Sequence, residues 1–179
     1  MGANPTAHGD AVRRLFESHV VELRQVVARL GGPGLDVDDV LQDAFVVALR
    51  NAARFGPEGP PRPWIFGVAI KLVTAARRRA RVREFLGLEA AEELPHAETP
   101  WTAFEQRESS ERLYRMLDQL SERKRTVLVL YEIEGWSGEE IAQAMKCPVK
   151  TVWTRLYHAR REFEALMVAD RAASGGAHG

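Results

Sequence analysis

The chain has 179 residues, 45% of them hydrophobic and 28% charged, with 25 Lys and Arg balancing 25 Asp and Glu and a single cysteine. This length suits one ordinary domain or two small ones, and the lone thiol, Cys147, excludes an internal disulfide and a cysteine-built zinc site. No apolar run approaches the roughly 20 residues of a membrane span, and the first residues lack a secretory leader's apolar stretch, so the sequence reads as a cytoplasmic protein with no membrane contact of its own.

In chain order, Asp10 is placed to cap a first helix over 11–30, whose Leu15, Phe16, His19, Leu23, Val26, Val27 and Leu30 recur at helical spacing. His19 on that stripe has no partner nearby in sequence and reads as a packing group. Gly31-Gly32-Pro33-Gly34 ends the helix. Asp36 then caps a second helix over 37–55, with Asp38 and Asp39 in the first turn where the helix dipole favours anions. The carboxylates Asp36, Asp38, Asp39 and Asp43 lack the central glycine and terminal glutamate of a calcium loop, and dipole complementation accounts for the first three without a metal. Gln42 and Asp43 fall on the outer side, open to a protein partner.

A glycine- and proline-rich loop over 56–63 precedes Trp64, which opens a third helix running to about 83. Its end holds Arg77, Arg78, Arg79, Arg81 and Arg83, five arginines in seven positions. One or two would serve the helix terminus; five wrap every side of it and point to phosphate contact. Residues 88–99 have no sustained period and read as an acidic linker. Residues 1–87 carry 13 Lys and Arg against 9 Asp and Glu, residues 88–109 one against six, and residues 110–167 ten against nine. Two non-acidic halves are thus joined by an acidic strap.

Thr99 and Pro100 can begin a fourth helix to about 120, with Leu113, Met116, Leu117 and Leu120 inward. Ser121 caps the next, which places Val127, Leu128, Leu130, Tyr131 and Ile133 in or near the core and stops at Gly135. Ser137 and Glu140 form a capping box for a short helix, Lys146-Cys147-Pro148 breaks it, and a longer helix buries Val152, Leu156, Ala159 and Phe163. That last helix turns Lys150, Thr154, Tyr157 and Arg161 outward, flanked by Trp153 and His158. An antiparallel helix pair with a solvated face would also satisfy the period. The outward aromatics Trp153 and Tyr157, which no core needs there, favour a contact surface and a recognition helix for a DNA major groove. Lys146 stands where such turns often carry glycine, at a cost if its φ is positive.

The expected fold is all-α: two small helical domains, 10–86 and 100–167, joined by a flexible acidic linker over 87–99, the second a helix-turn-helix, with a disordered tail over 168–179. No phosphate-cradling glycine loop, paired carboxylates or nucleophile with a base occurs at motif spacing. No catalytic residue, metal or cofactor is therefore expected, and the chain does not read as an enzyme.

Both halves resemble the extracytoplasmic-function (ECF) sigma factors, the two-domain specificity subunits of bacterial RNA polymerase. Val37-Asp38-Asp39-Val40-Leu41-Gln42-Asp43-Ala44-Phe45 resembles the family segment that docks on the clamp helices of the polymerase β′ subunit, which implies Asp39, Leu41, Gln42, Asp43 and Phe45 as core-polymerase contacts. Trp64-Ile65-Phe66-Gly67-Val68-Ala69 resembles the start of the helix that melts and reads the downstream promoter element, implying Trp64 and Lys71 there and Arg77, Arg78, Arg79 and Arg81 on phosphates. Glu134-Gly135-Trp136-Ser137-Gly138-Glu139-Glu140-Ile141-Ala142 and Thr151-Val152-Trp153-Thr154-Arg155-Leu156 resemble the reader of the upstream element, implying Lys150, Thr151, Trp153, Thr154, Arg155, Tyr157 and Arg161 as DNA contacts.

The resemblance further implies core RNA polymerase (β′ clamp helices and β flap), promoter DNA and an anti-sigma factor as partners. It also gives Glu89, Glu92, Glu93 and Glu98 a role as RNA-phosphate mimics near the RNA exit path, beside the alternative of a solvated spacer. Ile70-Lys71 replaces a common Arg-Asn, and Lys71 accepts no hydrogen bonds; Trp153 replaces a frequent Lys or Arg, and Lys150 a frequent Gly. The rival reading is an autonomous helix-turn-helix repressor with a sensing or dimerising N-terminal half.

Overall fold

The computed structural model describes residues 5–55, 59–87 and 102–175. Their regular structure is all helical, without a strand among them: α1 (Pro5–Gly31), α2 (Val37–Asn51), α3 (Arg62–Phe85), α4 (Thr102–Gln119), α5 (Glu122–Leu128), α6 (Gly138–Met145) and α7 (Val149–Gly175). The linker glutamates Glu89, Glu92, Glu93 and Glu98, loop residues 56–58 and the start assigned to Thr99 and Pro100 lie outside the described residues.

The helices α1, α2 and α3 pack on one another around Leu23, Val26, Val27, Leu41, Ala44, Ile65 and Ala69. At the start of α2, the Asp36 carboxylate accepts from the Asp39 backbone N–H at 2.9 Å, as its position predicts. The second lobe sets α5 and α6 against α7 around Val127, Leu130, Ile141, Val152, Leu156 and Ala159. His19 packs 6.3 Å from the Phe66 ring, its buried Nδ1 without a hydrogen-bond partner.

Three expectations need correction. First, α1 begins at Pro5, not after Asp10, because proline is pre-set for the first helical turn. Second, α5 runs into a π turn over Val129–Ile133, in which the Glu134 N–H reaches back five residues to the Val129 carbonyl at 3.1 Å. The wider turn rotates Ile133 out of the core, leaving it 43% exposed. Third, α7 continues beyond Met167 to Gly175. Residues 168–173 contain three alanines and one arginine, all helix-favouring, and Arg112 on α4 pairs with Asp170 to tie the extension down.

The two lobes also meet: α3 packs on α6, and one continuous core passes from Val27 and Phe66 to Trp136 and Ala144.

Lys146, the C-cap of α6, takes the left-handed conformation at φ 50° and ψ 50°. A β-carbon there is strained by roughly 1 kcal/mol. Lys146→Gly is therefore expected to stabilise the fold by up to about 1 kcal/mol, the gain being trimmed by the glycine's freer unfolded chain. Urea unfolding followed by circular dichroism measures it.

Candidate nucleic-acid interface

The helix-turn-helix is built from its caps inward. Ser137 Oγ accepts from the Glu140 backbone N–H at 3.2 Å, while the Ser137 backbone N–H donates to the Glu140 carboxylate at 2.9 Å, closing the capping box. The Ser137 donors hold the Glu140 carboxyl below its ordinary value, the backbone bond first and the hydroxyl second. Because this folded value is depressed, the box contributes fully above the ordinary carboxylate range and weakens as pH falls through the lowered value. The Cys147 N–H returns to the Ala142 carbonyl at 3.0 Å, and Thr151 N–H to the Pro148 carbonyl at 2.8 Å, so the turn is closed on both sides.

With Val152, Leu156 and Ala159 buried, α7 presents Lys150, Thr154, Tyr157 and Arg161 along one exposed line. Arg161 lies over the Tyr157 ring at 5.8 Å and reaches its hydroxyl at 3.4 Å. Thr154 Oγ1 donates back to the Lys150 carbonyl at 3.0 Å, leaving its oxygen lone pairs turned outward. Thr151 and Arg155 are half-buried, and Arg155 donates to the half-buried Cys147 sulfur at 3.6 Å. Trp153 is exposed by 44% but anchored: it stands edge-on to Tyr131 at 5.6 Å and lies so close to Gly138 that a β-carbon there would come within 2.5 Å of the indole. The indole is thus as much a spacer between α6 and α7 as a reading group.

On the first lobe, Trp64 packs edge-on to Phe55 at 5.0 Å, half-buried, and Lys71 is exposed two turns along α3. Arg78, Arg79 and Arg81 are exposed. Arg77 is not: only 9% exposed, it donates to the Gly31 carbonyl at 3.0 Å, to Asp118 at 2.7 Å and to Glu122 at 3.2 Å. Arg81 also pairs with Glu122. Two of the arginines assigned to phosphates are therefore held by carboxylates of the other lobe. Lys71, Arg78 and Arg79 on α3 and Lys150, Thr154, Tyr157 and Arg161 on α7 are all exposed.

Residues 15–83 match the family model Sigma-70 region 2, and residues 110–163 match Sigma-70, region 4. The chain is 35% identical over 175 residues to the RNA polymerase sigma factor CnrH of Cupriavidus metallidurans, covering 93% of this chain and 90% of the relative. It belongs to the ECF sigma factors. The ECF sigma-E factor of Escherichia coli is 30% identical over 164 residues, covering 85% of this chain and 86% of the relative. A solved structure of CnrH in complex with the cytosolic domain of CnrY superposes with a TM-score of 0.65 at 28% identity, covering 94% of this chain and 99% of that one. A structure of the Bartonella quintana sigma factor RpoE, in complex with the anti-sigma factor NepR, shares the fold at a TM-score of 0.61 and 19% identity, covering 88% and 97%. As an ECF sigma factor, the chain binds core RNA polymerase and directs promoter-specific initiation. Neither match favours an autonomous repressor.

In this sigma factor the five residues assigned to core polymerase divide by exposure. Asp39, Gln42 and Asp43 face outward from α2, whereas Leu41 is buried and Phe45 packs edge-on to Phe16 at 4.9 Å. Leu41 and Phe45 support the face from beneath. Val46 and Leu49, exposed beside Gln42 at spacings of four and seven, complete an apolar stripe among the polar groups. Their helical register with Gln42 was the available signal in the sequence. Among the described residues no cluster of metal-ligating side chains occurs, and no helix is long and apolar enough to cross a membrane.

Proposed function

We propose that the sigma factor docks on the β′ clamp helices of core polymerase through the outward face of α2, with Asp39, Gln42 and Asp43 around Val46 and Leu49. The polymerase's β flap contacts the second lobe. Trp64 and Lys71 engage the melted downstream element, while Arg77, Arg78, Arg79 and Arg81 hold phosphates. Lys150, Trp153, Thr154, Tyr157 and Arg161, backed by Thr151 and Arg155, engage the upstream element in the major groove. The observation that carries the reading is the presence, within a single chain, of exposed cations on α3 (Lys71, Arg78 and Arg79) and of an exposed cationic and aromatic line on α7. The protein acts without catalysis of its own, in the cytoplasm where core polymerase and DNA reside. An anti-sigma factor is a further partner, by analogy with the complex formed by the Bartonella quintana relative.

Run-off transcription with purified core enzyme tests the function: transcripts from a selected promoter depend on the added chain. The two classes of contact separate in a binding assay. Thr154→Ala is expected to reduce discrimination between the selected promoter and random duplex by roughly tenfold, within the 1–3 kcal/mol of a base-edge contact. Arg78→Ala with Arg79→Ala is expected to weaken binding at all sequences and to flatten the slope of log K against log salt by about 1.8, since each phosphate contact contributes about 0.9. Equal losses on promoter and random DNA for Thr154→Ala would remove that residue from base reading.

A further inference from the structure

Trp153 is a large aromatic that the chain leaves outside and yet holds still. It is 44% exposed in the first turns of α7, the helix that begins at Val149. A row of side chains stands behind it. Tyr131 meets the indole edge-on at 5.6 Å, the Arg160 guanidinium lies over the Tyr131 ring at 5.3 Å, and Arg160 Nε donates to Glu132 Oε1 at 2.6 Å. On another side α6 closes in: a β-carbon at Gly138 would come within 2.5 Å of the indole Cζ2, 3.0 Å of Cε2 and 3.1 Å of Cη2. These atoms lie on the side of the ring next to its nitrogen. Spacing α6 from α7 accounts for that inner side and leaves the rest of the ring in water.

What the exposed part can recognise follows from its chemistry. An indole has no charge for a phosphate, accepts no hydrogen bond and carries a single donor. The remainder of its surface is hydrocarbon. Of the base pairs seen from the major groove, only the one with thymine adds an apolar group, the C5 methyl, to its hydrogen-bonding atoms. The residues that reach base edges are those in the first turns of a recognition helix, where Trp153 stands. The same helix supplies exposed cations for phosphates in Lys150 and Arg161. We propose that Trp153 is a thymine reader: its exposed hydrocarbon packs on the C5 methyl of one thymine in the upstream element and makes an A·T pair preferred at that position. This rests on the reading that α7 enters the major groove of that element. A ring already fixed by Tyr131 and by the approach of α6 loses little freedom on binding, so the contact keeps most of its strength.

The test removes the methyl from the DNA and the indole from the protein in turn. The full chain, assembled with core enzyme, first selects upstream elements from a duplex library randomised over that region. The selected element should contain a fixed A·T pair. Each of its thymines is then replaced singly by deoxyuracil, which lacks only the methyl, and affinity is measured by competition. At one thymine the wild-type assembly should lose about fourfold, the effect of roughly one methyl group returned to water. Trp153→Ala should bind more weakly and bring the thymine-to-uracil ratio at that position to about one. Trp153→Phe, which keeps an aromatic ring there, should hold the ratio at about two- to fourfold.

A spacer role alone would lower the affinity of Trp153→Ala for the thymine and uracil duplexes alike, and a ratio unchanged from wild type would overturn the proposal. Should Trp153→Ala lose helical circular dichroism, the wild-type chain decides. 5-Iodouracil, whose iodine takes the place of the methyl, is set at the sensitive thymine and irradiated, and the joined peptide is sequenced. Attachment at Trp153 supports the contact; attachment at another residue, or none, overturns it. A library that returns no upstream preference would remove the recognition-helix reading and the thymine contact together, whereas a selected element without a uracil-sensitive thymine removes the contact alone.

Discussion

Leu49→Asp is expected to lower the affinity of the sigma factor for core RNA polymerase by roughly 100-fold while leaving its thermal unfolding nearly unchanged. Leu49 is 41% exposed on α2, beside Val46 and in register with Gln42, so its side chain does little for the core of the free chain. Surface substitutions of this kind usually move stability by no more than about 0.5 kcal/mol. In the docked complex the same position is apolar and desolvated, and an unpaired carboxylate placed there costs several kcal/mol, on the order of 3 kcal/mol for a hot-spot position. Val21→Asp is the matched control, an exposed valine on α1 away from that stripe, and should leave polymerase binding intact. Surface plasmon resonance on immobilised core enzyme checks both. Removing the flanking charge with Asp43→Ala is expected to act differently, slowing association and reducing its salt dependence more than it shortens the lifetime of the complex. Retention of Leu49→Asp at wild-type affinity would place the dock elsewhere.

The features legible in the sequence were those set by local chemistry. Asp36 caps α2, and Ser137 with Glu140 closes a box, because a cap needs only its own next three residues. The outward turn of Trp153 and Tyr157 followed from helical period alone, and their exposure of 44% and 57% agrees. Lys146 stands where such turns often carry glycine, and its φ there is positive. What escaped was set at a distance. The π turn at Val129–Ile133 adds no residue type that marks it, and its register is imposed by the packing of α5 against α7 and by the Trp136 N–H bonding to the Leu130 carbonyl at 2.9 Å.

The contact between the lobes was hidden for a related reason. Arg77 sits in a run whose composition is that of a phosphate-binding helix end, and nothing in the run says that Asp118 and Glu122, more than 40 residues on, will take it. Phe66 and Trp136 entered the sequence reading only as members of two separate motifs, 70 residues apart, and the structure sets their rings edge-on at 5.0 Å. Gly67 carried the one local hint, a glycine inside a helix, where alanine would be better unless something approaches closely.

The recognition helix depends on its seat as much as on its outer face, and Leu156→Ala should show this. Leu156 is buried on α7 among the residues that α5 and α6 present to it, and truncating such a leucine costs about 2–5 kcal/mol through lost burial and the cavity left behind. At about 2–4 °C per kcal/mol for a chain of this size, the melting temperature is expected to fall by roughly 5–15 °C. Function should fail ahead of the fold. Lys150, Thr154, Tyr157 and Arg161 are untouched, but α7 can shift into the cavity, and base-edge contacts tolerate misplacement poorly. Below the new melting temperature, promoter discrimination is therefore expected to drop by about tenfold while affinity for random duplex, which depends on phosphates, stays within about twofold. Leu156→Met, which nearly conserves the volume, should restore most of both. Differential scanning calorimetry and competition binding with promoter and random DNA measure the two effects on one preparation. A destabilised chain that keeps full discrimination would mean that the outer line of α7 reads DNA without rigid support from beneath.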